Sequence, residues 1–324
     1  MLPKSPIRIA TLGDWDNYFS YFLSGTMEGA IQNGCWFRPI NIRIGKKQIK
    51  DNIIEFRPHI LFAHMLYSQI LKEPEGTRNI LRKLRQSLNM KVYYHLGDAR
   101  TEPRYPHNIS DHVDGCLVNQ TENLDKFSSI WGVPCYYWPY GCFYQERIAE
   151  PIKEFSHDLV FTGRLSNKGV HAHRTNFVRK LQKIMPIKLY PDDNYIDTKL
   201  LTAEVAASAK AVLGVCAGYN IEGYMDVRPF QYPGAGAFLM QRYYIGMYRV
   251  VVDEEHMVIF RHDDVDKFVE LYKKWMDKPE EINRIRNTAF EFFQKHHSYY
   301  NRVWDIINIT FNNAEKCKIF LEDL

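Results

Sequence analysis

Apolar residues in the first half of the chain fall in short runs separated by amphipathic stretches, the alternation that builds strand–helix units. Ile7–Gly13 reads as a short strand ending in glycine, and Tyr18 to Gln32 as an amphipathic helix closed at Gly34, where a helix end favours glycine. Phe37–Ile44 follows as a strand and Lys47–Glu55 as a helix. Ile60–His64 is a strand introduced by Arg57-Pro58, because the residue before a proline is pushed out of helical geometry. A helix over Gly76–Ser87, strands at Lys91–His95 and Gly115–Asn119, and a helix over Glu122–Ile130 continue the series. Strands spaced this way predict a parallel sheet with right-handed crossovers.

A second series starts beyond the Pro-bearing polar stretch Pro151–Ser156. Its predicted strands are Leu159–Thr162, Ile187–Tyr190, Ala211–Val215 and Ala237–Gln241. Its predicted helices are His173–Lys183, Thr202–Ala209, a segment opened by Arg228–Tyr232, then Val265–Met276, Pro279–His297 and Tyr300–Ala314. A chain of 324 residues exceeds one ordinary core and suits two of about 150 residues each. The expected architecture is α/β: two Rossmann-like, doubly wound domains facing a central cleft. Residues 1–150 form the first, 151–300 the second, and 301–324 a final helix packing back on the first.

Composition narrows the class rather than naming it. Apolar residues at 45% and charged residues at 25% exclude a disordered, collagen-like or coiled-coil chain. Six cysteines without a CxxC pair argue against a zinc site or a disulfide framework, and for reduced thiols. No apolar run approaches the about 18 residues of a membrane span, and the N-terminus lacks an apolar leader, so a soluble cytoplasmic protein is expected. A net charge of +4 admits an anionic ligand without marking a nucleic-acid binder.

In doubly wound sheets ligands sit beyond the carboxyl ends of the strands, so the loops there carry the chemistry. After Leu159–Thr162 the chain reads Phe161-Thr162-Gly163-Arg164-Leu165-Ser166-Asn167-Lys168-Gly169. Two cations after a strand and beside a helix start make a pyrophosphate site, from a guanidinium fork, a point charge and free backbone N–H groups. Arg228 opens a helix, where a cation opposes the macrodipole unless an anion sits there. Gly234 and Gly236 are either turn residues or a place where backbone N–H groups approach a ligand unobstructed.

Residues 161–169 resemble the G-R-L…K-G segment that opens the donor domain of glycosyltransferase family 4. Residues 223–239, Gly223-Tyr224-Met225-Asp226-Val227-Arg228-Pro229-Phe230-Gln231-Tyr232-Pro233-Gly234-Ala235-Gly236-Ala237-Phe238-Leu239, resemble the R-x-F-E…G-A-F-L signature of CgeB-like, spore-maturation-type glycosyltransferases. That likeness extends over most of residues 155–305, through Lys278-Pro279-Glu280-Glu281 to His296-His297-Ser298-Tyr299-Tyr300-Asn301-Arg302. It implies a GT-B fold whose second half holds a nucleotide-diphosphate sugar through Arg164, Lys168, Arg228, Gly234 and Gly236. Gln231 stands where the family has the acidic residue that meets the donor ribose; an amide can bond a diol, without charge assistance.

The first half agrees through shorter pieces. Lys91-Val92-Tyr93-Tyr94-His95-Leu96-Gly97 is similar to the family 4 strand that ends in a histidine facing the sugar, and Trp138-Pro139-Tyr140-Gly141 to its P-x-G turn, with Phe143 near where an aspartate often follows. His95, Asp98 and Asp14, with Asp16 beside it, are the catalytic candidates; a packed histidine, a turn cap and a helix N-cap are their structural alternatives. His296-His297 lacks a third ligand at metal spacing, so no metal is expected. The resemblance implies a hexosyltransferase-type enzyme (EC 2.4) moving a sugar from a UDP- or GDP-sugar to an acceptor hydroxyl, metal-independent and retaining, with no cofactor besides the donor. The acceptor is open among a glycan, a lipid-linked sugar, a protein and a modified DNA base. Two further readings stand: an inactive nucleotide- or sugar-binding protein on the same scaffold, and a nucleotide-sugar epimerase.

Overall fold

The computed structural model describes residues 5–15, 21–64, 76–96, 108–144, 150–163, 165–166, 171–190, 199–216, 220–261 and 263–324. The chain divides into two compact units, Met1–Tyr140 with Tyr299–Ile319, and Gly141–Ser298 with Phe320–Leu324.

The first unit is a parallel sheet of β1 (Arg8–Gly13), β2 (Trp36–Asn41), β3 (Ile60–His64), β4 (Lys91–Leu96), β5 (Gly115–Val118) and β6 (Cys135–Tyr137), in the order β2-β1-β3-β4-β5-β6. Helices α1 (Tyr21–Gln32), α2 (Lys46–Phe56), α3 (Thr77–Leu88) and α4 (Leu124–Trp131) lie between successive strands, and α10 (Tyr299–Asn312) joins them from the far end of the chain. Alternation along each strand assigns the faces. Ala10, Leu12, Leu61, Ala63, Val92 and Tyr94 share a core with Ile49 and Ile53 of α2, Leu81 and Leu84 of α3, and Phe127 of α4. The intervening residues turn to the opposite face, where Phe62, His64 and His95 meet Phe22 of α1 and the Tyr93 hydroxyl lies 3.0 Å from Thr310 of α10.

Glycine brings α1 and α10 together. A Cβ on Gly29 would sit 2.2 Å from the Tyr299 carbonyl oxygen, and one on Gly25 2.3 Å from the Tyr299 ring. The Trp138 indole then donates to the Arg302 carbonyl at 2.9 Å, and Arg302 Nε to the Pro139 carbonyl at 3.1 Å. Both bonds are buried, where an unpaired polar group would be costly.

The second unit is a parallel sheet of β7 (Leu159–Thr162), β8 (Lys188–Tyr190), β9 (Ala211–Gly214), β10 (Leu239–Arg242) and β11 (Val258–Phe260), in the order β11-β10-β9-β7-β8. Its helices are α5 (Ala172–Gln182), α6 (Lys199–Ser208), the single turn α7 (Arg228–Gln231), α8 (Val265–Met276) and α9 (Pro279–His296). Leu159, Phe161, Leu213 and Met240 pack on Phe177 of α5 and on Phe268 and Trp275 of α8. The first sheet runs 2-1-3-4-5-6 and the second 2-1-3-4-5, a doubly wound order in which the chain reverses direction between strands 1 and 3.

The predicted strand Phe37–Ile44 ends at Asn41, whose side chain accepts the Arg43 N–H at 3.0 Å and turns residues 42–44 into a 3₁₀ helix. Pro39 is accommodated because β2 is an edge strand. β6 and β11 were not among the expected strands; at three residues each they are too short to show a period. The start of the first helix at Tyr18 lies outside the described residues.

Candidate functional site

Residues converge at the carboxyl end of β7, beside the switch point of the second sheet. Arg228, 9% exposed, donates from Nε to the Thr162 carbonyl at 2.9 Å and pairs through Nη1 with Asp226, whose other oxygen accepts the Arg228 backbone N–H at 3.1 Å. The guanidinium also lies over Phe161, 5.6 Å from its centroid. The Thr162 and Tyr232 hydroxyls are bonded, and Tyr244 reaches Asp226 at 3.5 Å. Burial opposes the Arg228 charge, but Asp226 and its neighbours outweigh it and raise the pKa. Burial and then Asp226 push the Tyr244 hydroxyl up, so it stays a neutral donor.

Gly163 makes this cluster possible. Its φ is +136°, and a Cβ there would lie 2.0 Å from Arg228 Nη2. Its amide bonds the Tyr190 carbonyl at 2.7 Å, tying the end of β7 to β8. Arg174 of α5 shares the Phe161 ring at 5.9 Å; burial and then Arg228 lower its pKa. Neighbouring like charges in a dry setting favour an anion between them.

Arg228 thus opens a helix beside an anion, and that anion is Asp226 of the same chain; the macrodipole by itself does not call for one from outside. Gly236, with φ +86°, spends its amide on the Pro233 carbonyl at 2.9 Å, which withdraws it as a donor to a diphosphate. The close approach Gly234 permits is that of Cys142, whose Cβ would be 2.5 Å from an added Cβ. Gln231 accepts the Phe143 N–H at 3.0 Å through Oε1, so Nε2, buried and unpaired among the described residues, is the atom free to meet a ligand, as a donor. Arg164 and Lys168 lie outside the described residues.

The carboxyl end of the first sheet is different in kind. His64 and His95, in register on β3 and β4, approach through their Nδ1 atoms at 3.0 Å, and the Phe22 ring stacks on both. A bond between two Nδ1 atoms uses one proton, so the tautomer of each ring sets that of the other. Burial and then His64 hold the His95 imidazole well below the usual range; His95 is 1% exposed, and its Nε2 has no partner among the described residues. Asp14 is paired with Arg43 at 2.6 Å. Asp98 and Asp16 lie outside the described residues.

Asp226, Arg174, Tyr244 and His64 escaped the sequence reading. Asp226 stands two residues before Arg228, and His64, like His95, closes a strand; the pairings that matter join different strands and helices. Among the described residues no group of three or more His, Cys, Asp or Glu side chains is placed to hold a metal ion. All six cysteines are free, and no described helix is long and apolar enough to cross a membrane.

A family model described as Glycosyl transferase-like matches residues 176–308. No curated protein sequence matches the chain. Among solved structures, HepE from Anabaena in complex with UDP and glucose superposes with a TM-score of 0.57 at 10% identity, covering 94% of this chain and 99% of that one. Sucrose-phosphate synthase from Thermosynechococcus elongatus gives a TM-score of 0.60 at 9% identity, covering 95% and 99%. T4 phage β-glucosyltransferase gives 0.57 at 10% identity, covering 94% and 100%. Likeness along nearly the whole of each chain, together with two doubly wound parallel sheets, shows the fold to be the two-domain, Rossmann-like GT-B fold.

Proposed function

We propose that the chain is a glycosyltransferase that moves a sugar from a nucleotide-diphosphate donor to an acceptor hydroxyl. The observation that carries this reading is the buried guanidinium of Arg228, fixed at the carboxyl end of β7 by Thr162 and Asp226. A cation held rigidly where a doubly wound sheet receives ligands is preorganised to stabilise the charge that develops on a diphosphate as the glycosidic bond breaks. The Glycosyl transferase-like match over residues 176–308 and the UDP-bound neighbour support this reading.

In this proposal Arg164 and Lys168 extend the phosphate contacts and Gln231 Nε2 donates to the ribose. Gly234 and Gly236 shape the turn after α7. His95 meets a sugar hydroxyl as a neutral ring and Asp98 orients one, while Asp14 is the base that an inverting transfer would use. The transfer is metal-independent and retains configuration, and the chain is CgeB-like and works among reduced thiols in the cytoplasm. The donor is a UDP- or GDP-sugar, and the acceptor a glycan, lipid-linked sugar, protein or modified DNA base.

The test is a thermal-shift series with UDP, GDP and their sugars, followed by product analysis with and without EDTA. A nucleotide that binds only the folded chain raises its melting temperature. Nucleotide release on transfer that survives EDTA is expected. Binding without turnover would replace the transferase by a binding protein, and a changed donor sugar without an acceptor would replace it by an epimerase.

A further inference from the structure

We propose that Gln294 is a specificity-determining residue of the second unit. Its side-chain oxygen and the side-chain nitrogen of Gln231 together receive one hydroxyl group of the ligand, a ribose hydroxyl of the nucleotide donor. The ribose assignment rests on the transferase reading, whereas the hydroxyl-binding pair follows from the geometry of the two amides.

Phe143 anchors both side chains. Its N–H donates to Gln231 Oε1 at 3.0 Å, and its carbonyl accepts from Gln294 Nε2 at 2.9 Å. The same Nε2 donates to the Gly234 carbonyl at 2.6 Å. These partners fix which way round each amide stands, because a backbone N–H needs the oxygen of Gln231 and two carbonyls need the nitrogen of Gln294. Gln231 is left with its NH2 group and Gln294 with its oxygen. Both atoms are buried and neither has a partner among the described residues; Gln231 as a whole is 1% exposed.

Orphaned buried polar atoms are costly, and these two are complementary. They are not bonded to each other, so the group that satisfies them accepts from one and donates to the other. A hydroxyl does both through a single oxygen. A phosphate dianion brings no proton for Gln294, and an ammonium group brings no lone pair for Gln231.

Position selects the hydroxyl. Gln231 stands three residues after Arg228 in α7, and residues so spaced share a helix face, with Cβ atoms about 5–6 Å apart. Phe230 of α7 meets Phe293 of α9 edge to face, centroids 6.0 Å apart, which pins the helices that carry Gln231 and Gln294. In a nucleoside diphosphate the ribose follows directly on the phosphates. With the diphosphate by Arg228, at the carboxyl end of β7, a ribose hydroxyl is the group that comes within reach of Gln231.

The test is calorimetry with whichever of UDP and GDP binds, beside its 2′-deoxy and 3′-deoxy forms and pyrophosphate, on the full chain and on Gln294→Lys. The lysine keeps a donor for the Phe143 and Gly234 carbonyls and removes the acceptor. One deoxynucleotide is expected to bind the native chain at least about tenfold more weakly than its parent, because it leaves a buried donor and a buried acceptor unpaired. In Gln294→Lys that ratio is expected to shrink to about threefold or less, with pyrophosphate binding unchanged. The ratio is the readout because a disturbed Phe143 clamp weakens parent and deoxynucleotide alike. Gln294→Met supplies the same ratio if the lysine variant does not fold. Gln294 loses this role if both deoxy forms bind the native chain as well as the parent. It loses it equally if the ratio is the same in the variant, the outcome when Gln231 alone reads the hydroxyl or a water bridges the amides. A chain that binds neither UDP nor GDP loses the nucleotide donor and the ribose with it; one that binds either without discrimination keeps the donor and loses only the pair.

Discussion

At the carboxyl edge of the first sheet, His64 and His95 face one another as two rings stacked on Phe22. At the matching edge of the second, Asp226 and Arg228 face one another as an ion pair anchored to Thr162. The first five strands of each sheet share one order and both pairs are largely buried, yet His95 is held neutral and Arg228 charged. Burial alone drives a histidine to its neutral form. A guanidinium cannot shed its proton and must be given a carboxylate instead. One scaffold therefore holds a permanently charged guanidinium in an ion pair at one edge and a neutral His95 ring at the other.

Arg228→Ala attacks the charged edge most severely, because it strands the Asp226 carboxylate away from water. A loss of about 3–5 kcal/mol is expected, read by denaturant unfolding. A loss below about 1 kcal/mol would show that the pair is exposed enough to be dispensable. Gly163→Ala keeps every charge and drives a methyl into Arg228 Nη2, so about 1–3 kcal/mol should go and, on the proposed function, UDP binding with it.

The neutral edge is broken by acid. The folded-state pKa of His95 lies below its unfolded value, so its contribution is complete above about pH 6.5 and shrinks as the pH falls below that, by at most about 1.4 kcal/mol per pH unit. His256, stacked on Phe292 and lowered to about 4, adds a loss over the window from 6.5 to 4. His95→Phe should flatten the dependence of stability on pH, and an unchanged slope would remove His95 from it. The smallest effect belongs to Gln231→Met, which takes the acceptor from the Phe143 amide at a cost of about 1 kcal/mol. On the proposed function it also weakens UDP binding while leaving pyrophosphate binding unaltered.

Most strands and helices were legible in the sequence because each is a local matter of period and end signals. Leu159–Thr162 and Lys91–His95 declare themselves as buried runs, and Val265–Met276 as an amphipathic helix capped by Asp264. Residues 223–239 likewise singled out Arg228, which the structure places at the carboxyl end of β7. Pairing was not legible. That Asp226 neutralises Arg228, that Gly163 makes room for it, that His64 shares a proton with His95 and that α10 returns to α1 through Gly25 and Gly29 all depend on which surfaces come together. Period and propensity act over a few residues, whereas burial, and with it the charge state of a side chain, is set by neighbours that can stand hundreds of residues away.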